Sequence, residues 1–136
     1  MCHDVAVGFD QYHEPPEELP AGTRTFARMC ASLTEEAEAI GWYEQRLAVE
    51  RDREALAVMR DAQGEEFKHF CMDLELLLRR TPLWREIAQG ILFQPGDVVE
   101  HGERAEEQAV EDAAGQGAPL AGSASLGIGS LRGAPA

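Results

Sequence analysis

Three residues combine metal-binding chemistry with helical spacing. Glu36 lies between Leu33 and Ile40 in the apolar stripe of a predicted helix. A carboxylate buried there needs a partner or a metal ion, because burying it unpaired is costly. Glu66 and His69 lie three residues apart, and therefore on one face of a second predicted helix. Carboxylate oxygen and imidazole nitrogen together suit iron, manganese or zinc.

A Glu-x-x-His pair alone is a weak signal, because many helices carry one as a solvated pair. Here Glu36, Glu66 and His69 all occupy predicted core-facing positions, which favours a role as ligands. Di-iron carboxylate bundles take one glutamate from each of two helices and one Glu-x-x-His pair from each of two others. This chain supplies one of each, which is half a site. A twofold dimer would complete it.

The elements that must position these residues follow from the apolar periodicity. An extended N-terminal arm is predicted over residues 1–22, and Thr23 or Thr25 is the predicted N-cap of the first helix. Helices are predicted from there to about Val49, from about Asp52 to Arg80, and from Pro82 to about Leu92. The predicted fold class is all-α: two long antiparallel helices plus a short third helix, forming a four-helix bundle only on dimerisation. This half-bundle spans residues 23–101.

The C-terminal part has a different composition. Residues 102–124 are rich in Glu, Ala, Gly and Gln, which predicts a flexible linker. Apolar side chains return in residues 125–133 at Leu126, Ile128 and Leu131. An extended segment of this kind can lie in an apolar groove of a partner.

Composition excludes some classes of function. The 136 residues include 25 acidic and 12 basic ones, for a net charge of −13, which argues against nucleic acid as a partner and favours cations. Cys2, Cys30 and Cys71 form no CxxC pair, and the last two are predicted to be buried free thiols. We find no signal peptide and no membrane span, which predicts a soluble cytoplasmic protein.

Two segments resemble the encapsulated ferritin family: EEAEAIGWYEQR at residues 35–46 and EEFKH at residues 65–69. The resemblance extends from His13 to Phe93, so the half-bundle is expected to be ferritin-like. It implies that Glu36, Glu66 and His69 are ligands contributed twice to a site with two irons per dimer interface. The acidic residues Glu35 and Glu38 match metal-binding positions on the family's entrance route for iron, and Trp42 and Tyr43 match the aromatic pair beside the site. Gly64 and Phe67 depart from the family pattern.

The resemblance also implies a function. The family oxidises Fe²⁺ to Fe³⁺ as a ring of five dimers, and a surrounding encapsulin shell holds the mineral, which serves iron storage and detoxification. Residues 125–133 resemble the encapsulin cargo-loading peptide, which implies that Leu126, Ile128 and Leu131 dock to the shell. The chain is then expected to be cytoplasmic, inside an encapsulin nanocompartment.

Two other functions stay open at this point. A rubrerythrin-like peroxide reductase would be expected to carry an electron-delivery module such as paired CxxC motifs, which the sequence lacks. A non-enzymatic metal-binding or adaptor cargo protein would share the peptide without the reaction. Within the enzyme hypothesis, Tyr43 is either catalytic or, with Trp42, packing at the interface.

Overall fold

A computed structural model describes residues 12–117 of the chain, and this range is helical without any strand. The prediction of an all-α fold is confirmed. The elements in chain order are a short 3₁₀ turn at Pro16–Glu18, α1 at Ala21–Val49, α2 at Arg53–Arg80, α3 at Pro82–Ile91 and α4 at Val98–Gly115.

The helices α1 and α2 form an antiparallel hairpin. Glu36 of α1 faces Glu66 and His69 of α2, whereas Ile40, one turn further along α1, contacts Gln63. The residue numbers thus rise on one helix as they fall on the other. At 29 and 28 residues the helices are each about 42 Å long, at 1.5 Å per residue.

The first helix begins earlier than predicted. Pro20 is its N-cap, and the Pro20 carbonyl accepts a hydrogen bond from the Arg24 amide at 3.1 Å. Thr23 and Thr25 therefore lie inside α1 and neither caps it, so that prediction is wrong. The second helix begins as predicted, because the Asp52 side chain accepts a hydrogen bond from the Ala55 amide at 2.8 Å.

The fourth helix corrects the prediction of a flexible linker from residue 102, because residues 102–115 belong to α4. Asp97 caps its start by accepting a hydrogen bond from the Glu100 amide at 2.9 Å. Glutamate, alanine and glutamine are good helix formers, so a composition with few large apolar residues is compatible with a helix. The small side chains of Ala105 and Ala109 are buried.

The connection between α3 and α4 contains two left-handed residues. Phe93 has φ of 61° and Gly96 has φ of 110°. This conformation costs little at Gly96 and is uncommon for a residue such as Phe93. The His101 ring Nε2 donates to the Pro95 carbonyl at 2.8 Å, which ties the start of α4 to this turn.

The chain divides into two compact units, whose boundary falls inside α3 between Arg85 and Glu86. In the first unit, Ala31, Leu77 and Leu78 are buried, and the rings of Phe26 and Trp84 lie 6.5 Å apart. In the second unit, the buried apolar residues are Ala105 and Ala109. Both cores are small, as expected for units of this size.

Gly90 is required for the close approach of α3 to α4. A Cβ atom at this position would lie 2.5 Å from the Cβ of Ala105. We expect Gly90→Ala to lower the free energy of unfolding by about 1–3 kcal/mol, the usual cost of overpacking, as measured by urea denaturation.

Gly64→Ala is the matched control for that substitution. A Cβ at Gly64 would meet nothing within 4 Å, so alanine should stabilise α2 by up to about 1 kcal/mol. Equal stability of Gly90→Ala and the wild type would contradict the close approach of α3 to α4.

Two of the cysteines differ in exposure. Cys30 is half-buried, and burial raises the pKa of its thiol. Cys71 is exposed, so the prediction of a buried thiol is wrong at this position.

None of the described helices is long and apolar enough to cross a bilayer. Residues 1–11, with Cys2, and residues 118–136, with the predicted docking residues Leu126, Ile128 and Leu131, lie outside the described residues.

Candidate metal centre

Glu36, Glu66 and His69 meet between α1 and α2. Each offers one ligand atom, and these atoms all lie within 4.8 Å of one another. The His69 Nδ1 atom lies 3.4 Å from a Glu66 carboxylate oxygen and 3.9 Å from a Glu36 carboxylate oxygen. The sequence predicted that each of the three residues faces the core. The structure brings them together, but it leaves His69 exposed within the described part of the chain.

The carboxylates of Glu36 and Glu66 are joined by a hydrogen bond that shifts their pKa values in opposite directions. The hydrogen bond to Glu66, followed by burial and by the negative charge of Glu66, raises the pKa of Glu36 above its usual value. The same hydrogen bond lowers the pKa of Glu66, and His69 lowers it further. Two neighbouring carboxylates repel each other when both are ionised, so the pair favours one bound proton or one bound cation.

The cluster is open on one side. The side chains of Glu36 and Glu66 are 23% and 22% exposed, and that of His69 is 45% exposed. Three donors from one chain do not enclose an ion, since iron and similar metals accept four or more ligands. Further ligands to a metal ion would have to come from this open side.

A cation suits this donor set. Two neighbouring carboxylates, which repel each other when both are ionised, are placed to accept a positive charge, and the imidazole beside them adds a nitrogen donor. Among the described residues, no other group of three or more His, Cys, Asp or Glu side chains meets the same spacing.

Two further acidic residues, Glu65 and Asp73, lie near the cluster, and the sequence did not predict this. A Glu65 carboxylate oxygen lies 4.0 Å from His69 Nε2, although Glu65 is also paired with Lys68. The charge of Asp73 acts on Glu36 and adds to the rise in its pKa. Each of these residues is four positions from His69, and this i, i+4 spacing predicts that they lie on the same face of α2 as His69.

The other predicted site residues lie outside the three-residue cluster. Glu35, Glu38 and Trp42 are exposed. Tyr43 is half-buried, and the Arg46 guanidinium lies 5.2 Å from the centre of its ring. Since Tyr43 comes two turns after Glu36, the two residues are about 10 Å apart along the helix axis.

The second helix carries an uncovered seam through the cluster. Its residues are spaced alternately four and three apart, the spacing by which helices pack along an apolar seam. They are Val58, Ala62, Glu65, His69, Met72 and Leu76. Val58 is 69% exposed and Met72 is 62% exposed, whereas Ala62 and Leu76 are half-buried, so the described residues leave much of this seam open.

Comparison with known proteins agrees with the all-helical fold. The sequence matches the EncFtn-like family over residues 11–95, which is more than half of the chain. The chain belongs to the EncFtn-like family. The match includes α1, α2 and α3, and with them all three residues of the cluster.

Two relatives of this chain have names that bear on function. The chain is 40% identical to an encapsulated ferritin-like protein of Rhodospirillum rubrum over 131 residues, covering 95% of this chain and 93% of the relative. It is 40% identical to a ferritin-like protein of Thermotoga maritima over 91 residues, covering 67% of this chain and 80% of that relative. The predicted resemblance to encapsulated ferritins is thereby confirmed.

A solved structure shows the same helical arrangement. The crystal structure of a protein from Nitrosomonas europaea is 35% identical to this chain and superposes with a TM-score of 0.64. The superposition covers 65% of this chain and 98% of the other, which is consistent with an EncFtn-like helical region shorter than the full 136 residues.

Proposed function

We propose that the chain is a ferroxidase that oxidises Fe²⁺ at a di-iron site shared between two copies. The observation that carries this proposal is the cluster of Glu36, Glu66 and His69, whose ligand atoms lie within 4.8 Å of one another and which is open on one side. One glutamate and one Glu-x-x-His pair are half of the donors of a di-iron carboxylate site.

The uncovered seam of α2 supports a shared site. A second copy packed antiparallel on Val58, Ala62, Met72 and Leu76 would cover these apolar side chains and bring its own cluster opposite the first. Pairing around a twofold axis places the same surface on both sides. The resulting dimer has four helices from α1 and α2, the number of a ferritin-like bundle, and such dimers assemble further into a ring of five.

The substrate iron is oxidised by dioxygen. Each Fe²⁺ gives up one electron, so two ions reduce one O₂ to peroxide with the uptake of two protons. Glu36 and Glu66 supply negative charge that favours the ferric product over the ferrous substrate. Glu35 and Glu38 are exposed carboxylates on the same helix as Glu36 and attract incoming Fe²⁺.

The chain acts as cargo of an encapsulin shell, bound through residues 125–133. The support is the apolar spacing of Leu126, Ile128 and Leu131 in the sequence, together with the name of the Rhodospirillum rubrum relative. Ferric iron released from the ring is then stored inside the shell.

Metal loading should weaken as the pH falls. Because the Glu36 pKa is raised, its proton competes with a metal ion at a higher pH than for an ordinary glutamate. Displacement of one proton weakens affinity by up to about tenfold per pH unit. Titration calorimetry with Co²⁺ over a pH series measures this. A Co²⁺ affinity that stays constant as the pH falls to the usual pKa range of glutamate would contradict this prediction. Glu75→Gln, which lies outside the cluster, is the control and should show the same pH dependence as the wild type.

The direct test of the reaction is anaerobic loading of the purified full chain with Fe²⁺, followed by addition of oxygen. The proposal predicts ferric absorbance that rises faster than in buffer alone and consumption of one O₂ for every two Fe²⁺. A rate equal to that of buffer would refute it.

A further inference from the structure

The one polar side chain that is buried among the described residues connects the two helices of the metal centre. Gln63 of α2 is 9% exposed, and its amide nitrogen donates to a Glu44 carboxylate oxygen at 3.0 Å and to the Ile40 carbonyl at 3.4 Å. Both acceptors are on α1. Gln63 lies three residues before Glu66, and Ile40 lies four residues after Glu36, so this contact is one turn away from the cluster.

We infer that Gln63 is a positioning residue that fixes α1 relative to α2 so that Glu36 stands at bonding distance from the metal held by Glu66 and His69. This inference rests on the proposed function. Metal ligands have to be placed to within a few tenths of an ångström, and here they come from two helices. Contacts between apolar side chains are not directional, whereas the hydrogen bonds of Gln63 are. A single buried polar residue is a known way to specify helix register.

Substitution by leucine separates positioning from stability. Gln63→Leu keeps the buried volume, and Glu44 is exposed, so no polar group is left buried and unpaired. Removing one partner of a hydrogen bond is costly mainly when the other partner is left buried and unpaired, and Glu44 can bond to water instead. We therefore expect an unchanged or higher melting temperature together with Co²⁺ affinity that is roughly 10- to 100-fold weaker, the usual loss when a residue that supports metal ligands is removed.

The acceptor on α1 gives an independent pair of variants. Glu44→Gln and Glu44→Ala remove the same negative charge, but only glutamine keeps an oxygen that accepts the Gln63 hydrogen bond. Glu44→Gln should retain nearly the wild-type Co²⁺ affinity, and Glu44→Ala should weaken it. Adding Glu44→Ala to Gln63→Leu should weaken it no further, because both changes break the same contact.

Gln45→Leu is the matched control. The amide of Gln45 donates to the Gly41 carbonyl of its own helix at 3.4 Å and connects nothing to α2. This variant should bind Co²⁺ as the wild type does.

The experiment is a Co²⁺ titration of the full chain by calorimetry and visible absorption, with thermal unfolding of each metal-free variant. Selective loss of affinity in Gln63→Leu and Glu44→Ala is the expected result. Unchanged affinity in Gln63→Leu, or equal affinity in the two Glu44 variants, would overturn the positioning role. If the expected pattern appears but the wild type does not oxidise Fe²⁺, the proposed reaction fails and the positioning role stands. A wild type that binds no Co²⁺ overturns both.

Discussion

Glu36→Ala and His69→Ala will each reduce the rate of ferrous oxidation by more than about 100-fold, which exceeds the loss expected for residues that only support ligands. Each substitution removes one of three donors whose atoms lie within 4.8 Å of one another. In the proposed twofold dimer each substitution removes two of the six protein donors from one di-iron site.

The control for these variants is Glu38→Gln, an exposed residue of the same helix outside the cluster. It should slow the delivery of iron at low Fe²⁺ concentration and leave the rate at saturating Fe²⁺ close to that of the wild type. Stopped-flow absorbance of the ferric product measures all three variants. Wild-type rates in both Glu36→Ala and His69→Ala would favour the adaptor hypothesis over the ferroxidase.

Removal of residues 125–133 will abolish loading into the encapsulin shell and leave ferrous oxidation by the free protein unchanged. Burial of a leucine or isoleucine side chain contributes about 1.5–3 kcal/mol, so the loss of Leu126, Ile128 and Leu131 together removes most of the affinity of so short a peptide. The proposed ring of five dimers would present ten copies of the peptide and gain avidity, and this gain is also lost when the peptide is absent.

Co-expression with the shell protein and purification of the shells measures the loading. Ser130→Ala, which keeps all three apolar side chains, is the control and should load as the wild type does. Undiminished loading of the truncated chain would show that another surface binds the shell.

The sequence was sufficient to predict the hairpin and the cluster, because both depend on periodicity. An apolar repeat of three and four residues places Glu36 on one face of α1, and the i, i+3 spacing places Glu66 and His69 on one face of α2. Their meeting follows once the two helices pack antiparallel. This part of the prediction required no knowledge of side-chain contacts.

The fourth helix could not be predicted from large apolar side chains, because its buried face consists of small ones. In α4 the buried residues are Ala105 and Ala109, and α3 approaches closely through Gly90, so small side chains produce the packing. Composition alone does not distinguish such a helix from a solvated linker, because glutamate and alanine are common in both.

The burial and the hydrogen bonds of Gln63 could not be predicted from the sequence either. A glutamine in a helix is usually solvated, and only the packing of α1 against α2 shows that its side chain is buried and bonded to Glu44 and Ile40. The start of α1 was predicted from the threonines that can act as side-chain caps. No side chain caps this end, and the first hydrogen bond of the helix runs from the Arg24 amide to the Pro20 carbonyl.

The central claim is that one chain holds only half of the iron site, and native mass spectrometry of the full chain with anaerobic Fe²⁺ tests it most directly. We predict that iron is found only in species of even multiples of the 14.9 kDa chain, with two irons for each pair of chains. Substitution of Glu36 by alanine should remove this iron. A 14.9 kDa monomer that carries two irons would contradict the shared site.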